Sequence, residues 1–285
     1  MTDRELPDPA HTARDGAGSD DPFGAATDRP SAARVYDVLL GGSANFEVDR
    51  EMAGRMLAAE PQADRFARAN RSFLRRAVQG LLDEGVDQFV DLGSGLPTVG
   101  NVHEIVHAAN PDGRVVYVDV DPVAVGYSRY LLAGVDEAAV VQADVRDVDA
   151  VLDAAETRRL IDFSRPVGVL AVAVLHFVDD DPAGILDRFR MATVPGSYLV
   201  LSHLTTPAQM TRETVGVVQR YRESTRSPLT FRSRDQVVDL FAGWELLPPG
   251  VVPVDQWSPE PGDLEESADL GPVPIWAGVG LRGSV

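Results

Sequence analysis

Beyond residue 30 the apolar residues first recur at helical spacing and later gather into short runs. Ala33, Val35, Tyr36, Leu39 and Leu40 predict a helix that Gly41-Gly42 stops. Asn45 fits the N-cap of a second helix over Phe46 to Ala59, and Pro61 separates it from a third over 62–84. In that third segment Phe66, Ala69, Phe73, Ala77 and Leu81 share one face. The pattern then alternates. Runs rich in Val, Leu and Phe at 87–92, 114–119, 138–142, 167–174 and 197–203 predict strands, and helical periodicity at 98–109, 122–133, 147–161 and 182–192 separates them. Repeated βα units imply a parallel sheet, because parallel neighbours need a crossover.

Two further helices, 206–223 and 233–241, precede apolar runs at Trp244–Leu247 and Ile275–Leu281. A long loop over 248–273, rich in Pro, Gly and acids, joins those runs without a helix and permits an antiparallel final pair. The expected fold is therefore α/β and doubly wound, with an N-terminal helical extension. Residues 1–29, rich in Asp, Gly, Ala and Pro, read as a disordered acidic tail. Residues 30–84 read as a helical cap and 85–285 as the α/β domain.

Composition narrows the chemistry. The 285 residues contain no cysteine, which removes disulfides, thiolate metal sites and cysteine nucleophiles. All 26 basic residues are arginine, so Schiff-base lysines and P-loop lysines are absent. The formal charge of −18 disfavours nucleic acid and leaves a small molecule as the expected partner. Arg65, Arg68, Arg71, Arg75 and Arg76, on the arc opposite the apolar face of 62–84, read as a solvated face. The run from Val167 to Val178 is too short to span a bilayer, and no basic-then-apolar leader opens the chain. A cytoplasmic protein is expected; its oligomeric state is not legible.

The candidate chemistry lies at the ends of the predicted strands. Asp91-Leu92-Gly93-Ser94-Gly95 follows the first, where two glycines let the backbone approach a ligand closely. A full dinucleotide fingerprint places a third glycine where this chain has Thr98. Asp119 closes the second strand, placed to accept from both ribose hydroxyls of a nucleoside, while Asp121-Pro122 reads as a helix cap and first turn. After the third strand Asp144 can accept from an adenine amino group while the Val145 amide donates to the ring. His176 ends the fourth, as a base or a packed ring. His103 and His107, spaced i, i+4, lack a third ligand, and Asp179-Asp180-Asp181 before Pro182 caps a helix, so no metal is expected.

Val-Asp-Leu-Gly-Ser-Gly, Val-Tyr-Val-Asp, Gln-Ala-Asp-Val-Arg, Leu-His-Phe-Val and Gly-Ser-Tyr-Leu-Val-Leu-Ser occur in this order. The series resembles the successive motifs of class I S-adenosylmethionine-dependent methyltransferases. The stretch from Arg29 to Gly42, Asn45-Phe46 and Gly95-Leu96-Pro97-Thr98 resembles more narrowly an actinobacterial methyltransferase family of the domain-of-unknown-function type. The resemblance implies a Rossmann-like sheet of seven strands with the last antiparallel, and S-adenosylmethionine as cofactor. It also implies that Asp91, Gly93 and Gly95 line the methionine end, Asp119 the ribose, and Asp144 with Val145 the adenine. Tyr36 and Asn45 would cover the cofactor, or else serve as a core aromatic and a helix cap; with a hydroxyl or protonated amine as acceptor, His176 or His203 would take its proton, His203 reading equally as structural. Two other readings share the same turn: an NAD-linked oxidoreductase, and a sensor that binds the nucleoside without transferring methyl.

Overall fold

A computed structural model describes residues 27–97, 100–205, 212–225, 227–260 and 270–284. Three helices come first: α1 (Ala32–Leu39), α2 (Glu47–Ala59) and α3 (Ala63–Asp83). Alternation follows through β1 (Gln88–Leu92), α4 (Val102–Ala109), β2 (Arg114–Asp119), α5 (Pro122–Leu131) and β3 (Ala138–Gln142). Next come α6 (Val148–Asp153), α7 (Ala155–Leu160), β4 (Gly168–Val172), a 3-10 turn at Leu175–Phe177, α8 (Pro182–Ala192) and β5 (Tyr198–Leu204). The chain closes with α9 (Arg212–Thr225), α10 (Arg234–Asp239), β6 (Glu245–Leu246), β7 (Val252–Pro253) and β8 (Ile275–Leu281). No described helix is long and apolar enough to cross a membrane.

The strands form one sheet in the order β3-β2-β1-β4-β5-β8-β6, with β7 also paired to β8. β1 to β5 are parallel, and β8 runs antiparallel to β5 from Tyr198↔Leu281 to Leu204↔Ile275. The resemblance implied seven strands; the eighth, β7, is a two-residue piece inside the loop expected at 248–273. Strand order reverses between β1 and β4, the crevice where open α/β sheets bind ligands.

Period-2 alternation sorts the core onto two faces. Val90, Leu92, Val116 and Val118 pack on one side with Leu186 and Phe189 of α8. Phe89, Val115 and Tyr117 pack on the other with Phe73, Ala77 and Leu81 of α3. Helix α3 thus belongs to the layer that covers the sheet, and Asp91, two residues beyond Phe89, shares its face. The helix expected at 147–161 is broken at Ala154, whose extended backbone (ψ 141°) divides α6 from α7. Residues 1–26 and Thr98 lie outside the described residues, and with them most of the expected tail and the departure from the glycine fingerprint.

Candidate functional site

A cavity of about 650 Å³ opens where β1, β2, β3 and β4 end, with α1 and α3 across it. Its floor is the turn after β1. Gly93 and Gly95 both adopt φ +66°, a region that favours glycine. The Gly93 and Ser94 amides donate to the Val118 carbonyl at 2.8 and 3.0 Å, which ties the turn to β2. Asp119 fastens the rest: its Oδ2 accepts from Gly95 N at 2.7 Å and its Oδ1 from Asp121 N at 2.8 Å. A carboxylate has about four lone-pair sites, so two such bonds leave acceptors for a ligand. Asp121 caps α5 through the Val123 amide at 2.8 Å, as its sequence context predicts.

Burial raises both acids at this end. Desolvation pushes Asp119 up to about 6 and Asp91 up to about 7, with nearby Arg71 drawing Asp91 down and the Asp119 charge pushing it up. Between pH about 4 and about 7 the folded protein therefore holds protons that the unfolded chain has released, so the contribution of these groups to stability falls as pH rises through that window. The difference in melting temperature between the protein and Asp91→Asn should accordingly shift in favour of the variant from pH 5 to pH 8. A constant difference would refute a raised Asp91.

Asp144 and Val145 line the same cavity after β3. The Asp144 carboxylate is forked by Arg146, at 2.9 and 3.0 Å from Nε and 2.5 Å from Nη2, and this pairing holds its pKa below the ordinary value. His176 sits on the 3-10 turn after β4 and lines the cavity; its Nδ1 is buried without a partner, and burial keeps its pKa well below the usual histidine range. A neutral imidazole with a free nitrogen can accept a proton. His203 is differently committed. Its Nδ1 faces the Leu204 carbonyl at 2.8 Å and its Nε2 faces Arg232 Nη1 at 2.5 Å. Because a guanidinium only donates, Nε2 accepts and Nδ1 carries the proton, so neither nitrogen has a free lone pair. Burial pushes the His203 pKa down to about 4.

Tyr36 lines the cavity from α1, donating to the Ala67 carbonyl and accepting from Asn70 Nδ2, both at 3.0 Å. Asn70 continues to Ser202 on β5, whose hydroxyl donates to Asn70 Oδ1 at 2.6 Å. Asn45 lies outside the lining, and Phe46 rather than Asn45 is the N-cap of α2. The Asn45 amide instead braces the loop after α1, donating to Asp37 Oδ2 at 2.8 Å and the Gly42 carbonyl at 2.9 Å. Its side chain was needed inside a tight loop, which local sequence does not reveal.

The arginine arc departs most from expectation. Arg68 and Arg75 are exposed, but Arg65 and Arg76 are buried, bonded to the Gly271 carbonyl and to the Trp257 and Val254 carbonyls respectively. Arg71 lines the cavity. The C-terminal segments fold back over what looked like a free helix face. Arg34 was also missed: it is buried, pairs with Asp49 at 2.8 Å and Asp121 at 3.2 Å, and so pins α1 to α2 and to the end of β2. Its only signal was its place in the Arg29–Gly42 stretch. His103 and His107 face Tyr117 OH at 2.7 Å and the Gly113 carbonyl at 3.0 Å, and no metal-binding group of three appears among the described residues.

No curated protein matches the chain. Among solved structures it is similar to a provisionally assigned methyltransferase of Thermobifida fusca YX, at 38% identity over 94% of this chain and 100% of that one, with a TM-score of 0.84. It is also similar to a DUF574 family protein of Streptomyces avermitilis MA-4680, at 36% identity over 90% of this chain and 98% of the other, with a TM-score of 0.83. Residues 22–283 match the family described as S-adenosyl methyltransferase. With that span and this fold, the chain belongs to the S-adenosyl methyltransferase family.

Proposed function

We propose that the protein transfers the methyl group of S-adenosylmethionine to a small acceptor that enters the cavity uncharged. The carrying observation is that the cavity has two chemically different ends. One holds the glycine turn, Asp91, Asp119 and Asp144; the other is a wall of Leu39, Met56, Phe177, Leu204, Tyr221 and Leu229 that pack together between α1, α2 and α9. The Phe177 and Tyr221 rings stack at 6.4 Å with 22° between planes, a surface suited to a flat apolar molecule. That wall carries no charged side chain, so a charged acceptor would lose its hydration there without a partner, at a cost of roughly several kcal/mol.

The polar end fits the cofactor on its own chemistry. Ser94 Oγ and Arg71 Nε, on the lining of that end, are buried without partners among the described residues. In this reading Asp119 accepts from the ribose hydroxyls, and Asp144 with the Val145 amide faces the adenine. The bound sulfonium supplies an already activated methyl group. The chain then has to hold the acceptor in line and exclude water, which the apolar wall favours. His176, which lines the cavity beside Phe177, is the residue assigned in this reading to take the proton that a hydroxyl or amine acceptor releases, with burial opposing its protonation.

Calorimetry with S-adenosylhomocysteine should show binding that falls about 100-fold or more in Asp119→Ala, the loss expected for two charge-assisted hydrogen bonds. Asp119→Asn, which keeps one acceptor for the turn, should fall less. Absence of binding in the wild type, or stabilisation by NADH instead, would reject this reading.

A further inference from the structure

The apolar wall takes two rings from distant parts of the chain, and polar bonds tie both to one segment. Phe177 ends the 3-10 turn after β4, and Tyr221 lies on α9. Both line the cavity. The segment 229–232 joins them. On the side of α9, the Leu229 carbonyl accepts from the guanidinium of Arg222, next to Tyr221 in the chain, with Nε at 3.1 Å. On the side of the turn, Thr230 N donates to the His176 carbonyl at 2.8 Å, and Arg232 donates from Nη1 to the Leu175 carbonyl and from Nη2 to the Val178 carbonyl, both at 3.0 Å. The Arg232 amide also reaches the Leu204 carbonyl of β5 at 3.2 Å. Rings anchored through the backbone in this way are set before a ligand arrives, so binding loses little to rearrangement. Their planes differ by 22°, so a third flat ring can match both in orientation.

The base beside this wall narrows the acceptor further. His176 resists protonation, first through its burial and then through His203 of β5 and Arg232, which both face it. Such a base takes a proton only from a group that releases one readily. An aliphatic amine, like lysine, holds its proton up to about pH 10.4 and so arrives as a cation, which the wall does not accommodate. An aliphatic alcohol enters uncharged but is nearly as weak an acid as water, whose pKa is about 15.7. A phenol, like the tyrosine side chain with its pKa of about 10, is uncharged at pH 7 and far more acidic than an alcohol. It also brings the flat ring that Phe177 and Tyr221 suit.

We propose that the methyl acceptor is a phenol, its ring stacked against Phe177 and Tyr221 and its hydroxyl turned towards the methyl donor. This names the substrate class within the methyl-transfer reading above and rests on it. In the transfer a lone pair of the phenol oxygen forms the bond to the methyl carbon as the sulfur–carbon bond breaks. The sulfur keeps the electron pair of that bond and becomes an uncharged thioether, and the phenol proton leaves to His176 and from there to water. The products are an aryl methyl ether, S-adenosylhomocysteine and a proton. Phe177 and Tyr221 are then the residues that set specificity, preferring an aromatic ring to a saturated one of the same skeleton by roughly 2–10-fold.

Protein saturated with S-adenosylhomocysteine should bind 2-naphthol roughly 2–10-fold more tightly than decahydro-2-naphthol, its saturated counterpart, when both are titrated by calorimetry. It should bind 2-naphthoate at least about 10-fold more weakly than 2-naphthol, because the carboxylate finds no partner on the wall. Tyr221→Leu and Phe177→Leu keep the wall apolar and each remove one ring. In both, 2-naphthol affinity should fall towards that of the saturated alcohol while S-adenosylhomocysteine still binds, which also shows that the variant has folded. With S-adenosylmethionine supplied instead, mass spectrometry should find 2-methoxynaphthalene and no methyl ether of decahydro-2-naphthol. Equal affinity for the two alcohols, equal methylation of both, methylation of neither, or variants that leave the affinity ratio unmoved would each overturn the phenol and leave the cofactor site standing. Loss of S-adenosylhomocysteine binding in both variants would mean that the rings hold the fold rather than the acceptor, and would overturn it too. A wild type that does not bind S-adenosylhomocysteine would overturn the cofactor reading and the phenol together.

Discussion

Replacing Arg34 with methionine should cost about 3–5 kcal/mol of folding stability, the usual penalty for removing one partner of a buried ion pair. Arg34 is 1% exposed, with Asp49 at 0% and Asp121 at 9% on their side chains. Its Nη2 donates to the Arg29 carbonyl at 2.5 Å, and the Phe46 ring lies 5.4 Å from its guanidinium carbon. Methionine occupies similar space, so what is lost is chiefly charge. Asp49 would keep only the Ser31 and Phe46 amides, at 3.0 and 2.9 Å, and remain a buried anion without a cation. Urea unfolding should report the loss directly, and hydrogen exchange should quicken first in α1 and α2.

The effect should reach the cofactor end as well. Asp121 starts α5, and the Asp121 amide is bonded to Asp119, which holds the Gly95 amide. Arg34→Met should therefore weaken S-adenosylhomocysteine binding even though Arg34 is not assigned to contact it. Adding Asp49→Asn removes the stranded charge and should recover part of the stability, because buried pairs replaced together by uncharged groups often cost little. A loss below about 1 kcal/mol in the single variant would show that water or rearrangement compensates the pair.

Gly93→Ala carries the second large effect. At φ +66° any other residue pays about 1–2 kcal/mol for a left-handed backbone. Here the added Cβ would also lie 2.3 Å from Val174 Cγ2 and 2.7 Å from Val174 Cβ, closer than atoms tolerate. Val174 is packed in the core with Leu175 and Leu186, so relief requires a shift costing typically another 1–3 kcal/mol. Because Val174 leads into the turn that carries His176, the shift should disturb both ends of the cavity. Gly95→Ala is the control. It has the same φ of +66°, but the nearest atom to its Cβ would be Ala33 Cβ at 3.9 Å, so only the backbone term applies. The two variants should differ in unfolding free energy by more than about 1 kcal/mol. Equal losses would show that Val174 moves without cost, and Gly93→Ala combined with Val174→Ala should then show no rescue.

Legibility followed locality. The five parallel strands and β8 could be placed because buried strands of a parallel sheet are nearly continuous apolar runs, and such runs are contiguous in sequence. The break at Ala154 and the short β7 were not legible, since neither a good helix former in an extended backbone nor two residues beside β8 leave a periodic trace. Of the acids, Asp91, Asp119 and Asp144 do line one cavity, because a βα turn delivers each strand's last residues to the same sheet edge. Asn45 does not, since its loop needed the amide for internal bonds.

The sequence by itself determined the α/β alternation, the turn at Gly93–Gly95 and the acids at the strand ends, all of which depend on residues near one another along the chain, while the order of its motifs carried the resemblance that implies the cofactor. The tertiary structure alone decided what each polar side chain faces. Periodicity says which arc of α3 is apolar, but a polar arc meets solvent only if nothing folds over it; here residues 254, 257 and 271 cover Arg65 and Arg76, while Arg71 turns into the cavity. Long stretches of sequence also separate Arg34 from Asp121, 87 residues apart, and His203 from Arg232, 29 apart. Pairings of that range are set by how the elements pack, and that packing made Arg34 a structural bolt, bonded both ring nitrogens of His203 and brought Arg71 to the cavity that Asp91 lines.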